Sequence, residues 1–244
     1  MIDIHTHILP MVDDGFQSID QSLMMLKKAY QDGTDIIVLT PHLAYPYGFI
    51  NPNRKIKELF EDFQYIVEQE HIPIKLYLGC EFLFDSVESF QEHIDDITKI
   101  NGTQYILMEF FFDVQKNEIL EAIDTVLSYH YIPIIAHPER YESMQTSYDL
   151  AIQCIKKGAL LQMNKGSLFG QYGTFAKDCI HYMLENHLIS FIGSDAHHLK
   201  YRNALMYDDY SYIKKYYGSQ YAQKIFKINP KNMLDNIDIR GLKE

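Results

Sequence analysis

The chain has 244 residues and a formal net charge of −11, with 33 acidic side chains against 22 lysines and arginines. This acidic balance argues against a nucleic-acid partner, because no basic stripe is available to displace counterions from phosphates. No apolar stretch approaches the ~20 residues that a membrane span needs, and the first residues lack the pattern of a signal peptide. Three widely spaced cysteines are typical of a reduced chain without disulfides. We therefore expect a cytoplasmic protein without membrane insertion.

Short apolar runs alternate along the chain with longer segments of helical periodicity. In the first such segment, Leu23, Leu26 and Tyr30 recur at helical spacing, and Gly33 fits a C-terminal cap. The predicted strands are residues 2–7, 35–40, 74–79, 105–108, 132–136, 159–163 and 188–192. The predicted helices are residues 18–31, 54–70, one within 82–101, 117–129, 148–157 and 174–186, with further helix from residue 203.

This alternation predicts an α/β fold with a parallel sheet covered by helices, because such strands are apolar along nearly their whole length. The length suits one domain, residues 1–244. An open doubly wound sheet is the alternative architecture. A barrel is favoured because each predicted strand ends in a polar residue of ligand or catalytic type, and barrel enzymes carry such residues around one mouth.

The first strand carries the clearest metal-binding pattern. His5 and His7 are two positions apart, so both imidazoles leave the same side of an extended backbone. Asp13 and Asp14 precede Gly15, which suits a turn that returns at least one carboxylate to the histidines. The other strand ends carry His42, Glu81, Glu109, His137, Asn164, and Asp195 with His197.

Imidazole and carboxylate ligands without thiolate suit Zn²⁺, Mn²⁺ or Fe²⁺, and Mn²⁺ tolerates the mixed carboxylate environment well. The candidates exceed the needs of one ion, so we expect two or three ions, with Glu81 or Glu109 as a bridge. Any one of these residues, taken alone, is more often a solvated loop residue or a helix cap. For Asp13 we favour a role in the turn or in orienting a neighbour, and we leave Asn164 out of the ligand set.

The cysteines do not fit a cysteine-dependent phosphatase, which needs an arginine six positions after the nucleophile. The residues at that spacing are Ser86, Leu160 and Glu185. We expect the three cysteines to be core residues. We also expect the loop at residues 45–49, next to His42, to contact the substrate, because loops after barrel strands line the mouth.

Seven short motifs together resemble the polymerase and histidinol phosphatase (PHP) superfamily of metal-dependent phosphoesterases. More narrowly, the chain resembles the manganese-dependent protein-tyrosine phosphatases encoded with capsular or exopolysaccharide genes in Gram-positive bacteria. The resemblance extends from residue 1 to about residue 202. The motifs are His5-Thr-His7, Val12-Asp-Asp-Gly15, Thr40-Pro-His42, Cys80-Glu81, Met108-Glu109-Phe110, Ala136-His-Pro-Glu-Arg140 and Gly193-Ser-Asp-Ala-His197.

The resemblance implies a distorted seven-stranded (β/α)7 TIM-like barrel with a trinuclear site. Mn²⁺ is the implied metal, at two to three ions per chain, with Fe²⁺, Zn²⁺ and Mg²⁺ as alternatives. It also implies that Arg140 and Arg202 contact the phosphate. The implied ligand sets are His5, His7, Glu81 and Asp195 for one ion, Glu81, Glu109 and His137 for a second, and Asp14, His42 and His197 for a third.

The implied reaction is dephosphorylation of the Tyr-rich tail of a bacterial autokinase that controls capsular or exopolysaccharide synthesis. Metal-activated hydroxide attacks phosphorus in this reaction. Two alternatives stay open on the sequence. One is a small-molecule phosphatase of the histidinol-phosphatase type, and the other is a non-catalytic metal-binding scaffold that recognises a kinase tail.

Overall fold

The computed structural model describes residues 1–241, and its β-strands are all paired in parallel. An α/β fold with parallel strands is therefore confirmed. The strand segments are β1 (Ile2–Thr6), β2 (Ile36–Leu39), β3 (His42–Leu43), β4 (Lys75–Leu78), β5 (Glu81–Leu83), β6 (Tyr105–Glu109), β7 (Ile132–Ala136), β8 (Leu160–Asn164) and β9 (Phe191–Gly193).

The strand hydrogen bonds form two sheets, in the orders β1-β2-β4 and β3-β5-β6-β7-β8-β9. The second and third predicted strands correspond to β2 and β4, and each is followed after a short gap by a further short strand that was not predicted, β3 and β5. Pro41 lies in the first gap and has no N–H for a strand ladder. Its carbonyl still accepts from the Glu81 N–H at 3.1 Å. The sheets are open, so closure into a seven-stranded barrel stays a prediction.

Helices connect the strands, and apolar side chains from each long helix are buried. The first helix begins after Ser18, whose hydroxyl accepts from the Gln21 N–H at 3.3 Å and caps the helix. The helices are α1 (Ile19–Gln31), α2 (Asn53–Gln69), α3 (Val87–His93), α4 (Lys116–Ser128), α5 (Glu142–Thr146), α6 (Asp149–Lys157), α7 (Thr174–Glu185), α8 (Tyr207–Tyr216), α9 (Ser219–Gln223) and α10 (Asn229–Leu234). The short helix α5 was not predicted.

Two apolar clusters account for the near-continuous apolar sequence of the strands. One cluster includes Ile4, Leu107 and Ile134, while the larger one contains helix side chains such as Leu26 together with Met108. Successive residues of β6 thus enter different clusters, as expected when both faces of a parallel sheet are covered.

The three cysteines are free and buried, as the sequence predicted. Burial raises the pKa of the Cys80 and Cys154 thiols to about 12, and it also raises the pKa of Cys179. Thiols in this state are poor nucleophiles. Within residues 1–241, no helix combines the length and the apolar character that a membrane crossing requires.

Candidate active site

The site is built around the two histidines of β1. His5 and His7 are fully buried, and their Nε2 atoms lie 3.2 Å apart. Alternation along the strand places both rings on one face, as the sequence predicted. Their ring nitrogens therefore converge on one small volume at the carboxyl end of the sheet.

Glu81, the first residue of β5, lies among the imidazoles. Its Oε2 is 3.0 Å from His5 Nε2, 3.1 Å from His7 Nε2 and 3.3 Å from His42 Nδ1. Its Oε1 is 2.8 Å from His137 Nε2. Burial alone would raise the pKa of Glu81, but the nearby imidazoles of His5 and His42 outweigh it and hold the pKa well below its usual range. Glu81 is therefore an ionised carboxylate in contact with four imidazoles.

Three groups of donor atoms are compact enough to surround an ion, since within each group the atoms lie within 4.8 Å of one another. Ligand atoms that lie about 2.0–2.2 Å from one cation are at most about twice that distance from one another, which is close to the spacing in these groups. The groups are His5, His7, Glu81 and Asp195; His42, Glu81 and Glu109; and His7, Asp14, His42 and His197.

The first group coincides with one ligand set that the resemblance implies, and the third contains another in full. The second differs, because His42 stands where we expected His137. The Nε2 of His137 nevertheless lies 3.9 Å from Glu109 Oε2, in addition to its contact with Glu81. All the predicted ligand residues thus lie at one end of the sheet.

Several buried polar atoms here have no hydrogen-bond partner among the described residues. His42 Nδ1 and Glu109 Oε1 lie 2.9 Å apart, and His197 Nε2 lies 3.3 Å from Asp14 Oδ1, but the geometry of these contacts is not that of a hydrogen bond. Buried polar atoms without partners are costly and uncommon in folded proteins. Nitrogen and oxygen donors that face one another in this way fit a cluster of divalent cations.

The imidazole of His197 differs from those of His5, His7 and His42, whose pKa values, against the effect of burial, are raised by the neighbouring carboxylates. Burial and the neighbouring His7 lower the pKa of His197 to about 4, although Asp14 and Asp195 oppose the shift. Its ring is therefore neutral at physiological pH and keeps a nitrogen lone pair available.

Residues behind the donor groups orient them. Asp13 Oδ2 lies 2.7 Å from His7 Nδ1 and accepts from the His42 N–H at 2.9 Å, which confirms the orienting role predicted for it. Gln162 Oε1 contacts His5 Nδ1 at 2.8 Å. Asn164 Nδ2 donates to Asp195 Oδ2 at 2.7 Å. Such contacts fix ring orientation and the basicity of a ligand.

The sequence analysis missed Gln162, although a signal for it was present. Gln162 and Asn164 share one face of β8, and Gln162 is a polar residue inside an otherwise apolar strand. A polar side chain at such a buried position needs a partner, and that requirement is the sequence signal for its role.

The backbone at two of these residues is strained. His137 has φ 34° and Asp195 has φ 51°, in the left-handed region that non-glycine residues rarely occupy. The Asp195 N–H donates to the His5 carbonyl at 2.8 Å, which joins the end of β9 to β1. A Cβ at Gly193 would lie 2.6 Å from His5 Cβ, so only glycine permits this close approach.

Both predicted phosphate-binding arginines reach the site. Arg140 Nη1 lies 3.3 Å from Asp195 Oδ2, and Arg202 Nη2 lies 2.5 Å from Asp195 Oδ1. The Arg140 guanidinium carbon is 4.6 Å from the ring centroid of Phe112 and 4.8 Å from that of Tyr172. Contact with two rings restricts the orientation of the guanidinium group.

A cavity of about 440 Å³ opens over the donor groups and the two arginines. Its walls include the aromatic residues Tyr47, Phe49, Phe110 and Phe112. Tyr47 and Phe49 come from the loop that we expected to contact the substrate. Phe49 also stacks on the His42 ring, with the centroids 5.5 Å apart.

Residues 1–235 match the family model described as "Capsular polysaccharide synthesis, CpsB/CapC". The chain belongs to the CpsB/CapC family. This membership confirms the narrower of the two resemblances inferred from the seven motifs.

Characterised members of the CpsB/CapC family are similar over nearly the whole chain. The tyrosine-protein phosphatase CpsB of Streptococcus pneumoniae is 31% identical over 241 residues, covering 96% of this chain and 98% of that protein. The tyrosine-protein phosphatase YwqE of Bacillus subtilis strain 168 is 33% identical over 226 residues, covering 90% and 86%.

A solved structure of two tyrosine phosphatases is similar to this chain in fold. It comes from the crystal structures of YwqE from Bacillus subtilis and CpsB from Streptococcus pneumoniae, described as unique metal-dependent tyrosine phosphatases. The TM-score is 0.88 at 32% sequence identity, with 97% of this chain and 95% of that chain covered.

Proposed function

We propose that this protein is a metal-dependent protein-tyrosine phosphatase of the cytoplasm. Its substrate is the Tyr-rich tail of an autokinase that controls capsular or exopolysaccharide synthesis. The observation that carries the proposal is the convergence of imidazoles, carboxylates and two arginines on one aromatic-walled cavity. The family relatives, which are tyrosine-protein phosphatases, support the same activity.

The donor groups would hold two to three divalent cations, and Mn²⁺ is the ion we favour. His5, His7, Glu81 and Asp195 would hold one ion. Glu81 and Glu109, with His137 or His42, would hold a second, and Asp14, His42 and His197 a third. Divalent cations bound there would neutralise phosphate charge and lower the pKa of a water.

Arg140 and Arg202 bind the non-bridging phosphate oxygens in this proposal. A guanidinium group offers a planar fork of N–H donors that matches two oxygens of a phosphate. Both groups line the cavity and are only partly exposed, so their donors meet little competition from water. They stabilise the charge on the phosphoryl oxygens that persists through the loose transition state.

The aromatic walls of the cavity suit a phenolic ester. The rings of Tyr47, Phe49 and Phe112 offer apolar surface to the phenyl ring of phosphotyrosine. The phenol that leaves has a pKa of about 10, so its departure makes little demand on a general acid.

We also propose that the strands close into a distorted seven-stranded barrel within a single domain. A parallel bridge between Thr6 and Ala196 supports closure, because it joins the end of β1 to the segment after β9. The His7 N–H donates to the Ala196 carbonyl at 3.0 Å in the same place. In a closed barrel, every donor group borders one mouth.

Parallel assays on a phosphotyrosine peptide and on histidinol phosphate test the proposed activity. With Mn²⁺ present, we expect the peptide to be preferred, and a chelator to abolish its turnover. His5→Ala and Arg140→Ala should each lower kcat/KM by at least about 100-fold, by loss of a metal ligand and of a phosphate donor. Metal content, measured on purified protein, should fall in His5→Ala and stay unchanged in Arg140→Ala. Preference for histidinol phosphate, or turnover that survives chelation, would contradict the proposal.

A further inference from the structure

A second groove adjoins the active-site cavity. It has a volume of about 620 Å³ and lies between the segment that follows β5 and the amino end of α4. Phe110 lines both the groove and the cavity. Tyr47 of the cavity also meets Phe111 of the groove edge-on, with the ring centroids 5.7 Å apart. The two concavities therefore adjoin at these aromatic residues.

The floor of the groove is apolar. Phe84 and Phe110 form it, with their ring centroids 6.0 Å apart, and Val114 lies beside them. All three side chains are largely buried, so the floor is held by the core of the protein. A floor of this kind accepts the aliphatic or aromatic part of a bound side chain.

The rim of the groove is acidic. It consists of the exposed residues Asp85, Glu88, Asp113, Glu118 and Glu121. In the part of the chain that the structure describes, no lysine, arginine or histidine nitrogen lies within 4.0 Å of these carboxylates. No ion pair among residues 1–241 therefore offsets the negative charge of the rim.

Helix capping accounts for only part of this rim. Glu88 and Glu118 lie in the first turns of α3 and α4, where a carboxylate stabilises the helix. The Glu118 side chain also accepts from the Gln115 N–H at 2.7 Å. Asp85, Asp113 and Glu121 have no such structural role, yet they border the same groove.

We propose that this groove binds the segment next to the phosphotyrosine in the substrate, and that it selects lysine or arginine there. This inference rests on the proposed function, because it concerns the residues that flank the phosphotyrosine in the proposed substrate. An extended peptide advances about 3.3 Å per residue, so residues a few positions from the phosphotyrosine reach the groove. Their aliphatic stems lie on the phenylalanine floor while their charged ends meet the carboxylates. Acidic flanking residues are repelled.

Matched substrates test this selection. Two phosphotyrosine peptides of equal length are compared, one with two lysines on each side of the phosphotyrosine and one with two glutamates. p-Nitrophenyl phosphate is the third substrate, because it has no flanking residues. With the enzyme supplied with Mn²⁺, we expect kcat/KM to favour the lysine peptide by about tenfold, mainly through KM, because each exposed ion pair contributes a few-fold. High salt should reduce the preference.

A triple variant locates the effect in the groove. Asp85→Asn, Glu88→Gln and Glu121→Gln together should reduce the preference for the lysine peptide to about threefold or less, since only Asp113 and Glu118 remain charged on the rim. Turnover of p-nitrophenyl phosphate should be unchanged. The matched control is Asp62→Asn, Glu61→Gln and Glu68→Gln on α2, which changes the net charge equally at exposed positions outside the groove. This control should keep the full preference.

The outcomes separate this inference from the proposed function. Equal use of both peptides by the unaltered enzyme, or an undiminished preference in the groove variant, overturns the inference and leaves the phosphatase activity standing. An equal loss of preference in the α2 control also overturns it, since net charge alone would then explain the effect. If none of the three substrates is hydrolysed, both the inference and the proposed function are overturned.

Discussion

The two ends of the parallel strands differ in what covers them. At the amino ends, the first residues of five strands pack in one apolar cluster with Met233, Leu234 and Ile239, which come from the last described part of the chain. The hydroxyl of Tyr105, one of these first residues, donates to the Ile237 carbonyl at 2.5 Å and accepts from the Ile239 N–H at 3.2 Å. These first residues are Ile2, Tyr105, Ile132, Leu160 and Phe191.

The carboxyl ends show the opposite arrangement. Imidazoles and carboxylates are crowded there, and several of their buried atoms have no hydrogen-bond partner in the described chain. Left-handed backbone conformations do not distinguish the two ends, since His137 and Asp195 have them here and His71, Asn101, His130 and His187 have them in the loops that lead into the strands. The comparison teaches that one end of the strands stabilises the fold, while the other accepts crowded and unsatisfied polar atoms in the service of binding.

Removing charge from Glu81 should produce the largest effect on activity. Because Glu81 contacts four imidazoles, Glu81→Gln should lower kcat/KM for an aryl phosphate by at least about 1000-fold. Mn²⁺ should also raise the melting temperature of the variant less than it raises that of the unaltered protein. Calorimetry with and without Mn²⁺, beside steady-state kinetics, measures both effects. A Glu81→Gln enzyme that keeps full activity would contradict the assignment of catalysis to the carboxyl ends of the strands.

Removing the Tyr105 hydroxyl should have the converse effect. Tyr105→Phe leaves the Ile237 carbonyl and the Ile239 N–H without their partner, so we expect a loss of about 1–3 kcal/mol in the free energy of unfolding. The activity should be unchanged, because the hydroxyl lies at the opposite end of the strands. Urea unfolding measures the stability. A large loss of kcat with intact stability would show that the two ends are not separate.

The smallest expected effect concerns the rings beside Arg140. Tyr172→Leu removes one cation–π contact and should lower kcat/KM for an aryl phosphate by about threefold to tenfold. Tyr172→Phe keeps the ring and serves as the matched control, with activity within about twofold of the unaltered enzyme. Steady-state kinetics on both variants measures the difference. Equal losses would assign the effect to the hydroxyl instead of the ring.

Local patterns predicted much of the catalytic end. Residues two positions apart lie on the same face of any strand, so His5 and His7 could be placed together from the sequence. Parallel strands also bring their carboxyl ends to one edge of the sheet whatever their exact bounds. For the same reason, the placement of Glu81 and Asp195 beside these histidines could be expected from chain order alone.

Features that depend on tertiary contacts could not be predicted in this way. The packing of Phe112 and Tyr172 around Arg140 joins three segments, and nothing in the local sequence of any one specifies it. The packing of Met233 and Leu234 under the strands is of the same kind, since helical periodicity does not say where a helix docks. The short strands β3 and β5 were also missed, because runs of two or three residues are too short to show the alternation of a strand.

The contact between Asp195 and His5 determines when the site can form during translation. The first donors leave the ribosome early, while Asp195 and Arg202 emerge only after most of the chain has been made. A contact between such distant positions forms late, because closing a long loop is entropically costly. A nascent chain that ends before Asp195 therefore presents His5 and His7 with Glu81 but without their second carboxylate, and competence for turnover requires synthesis through Arg202.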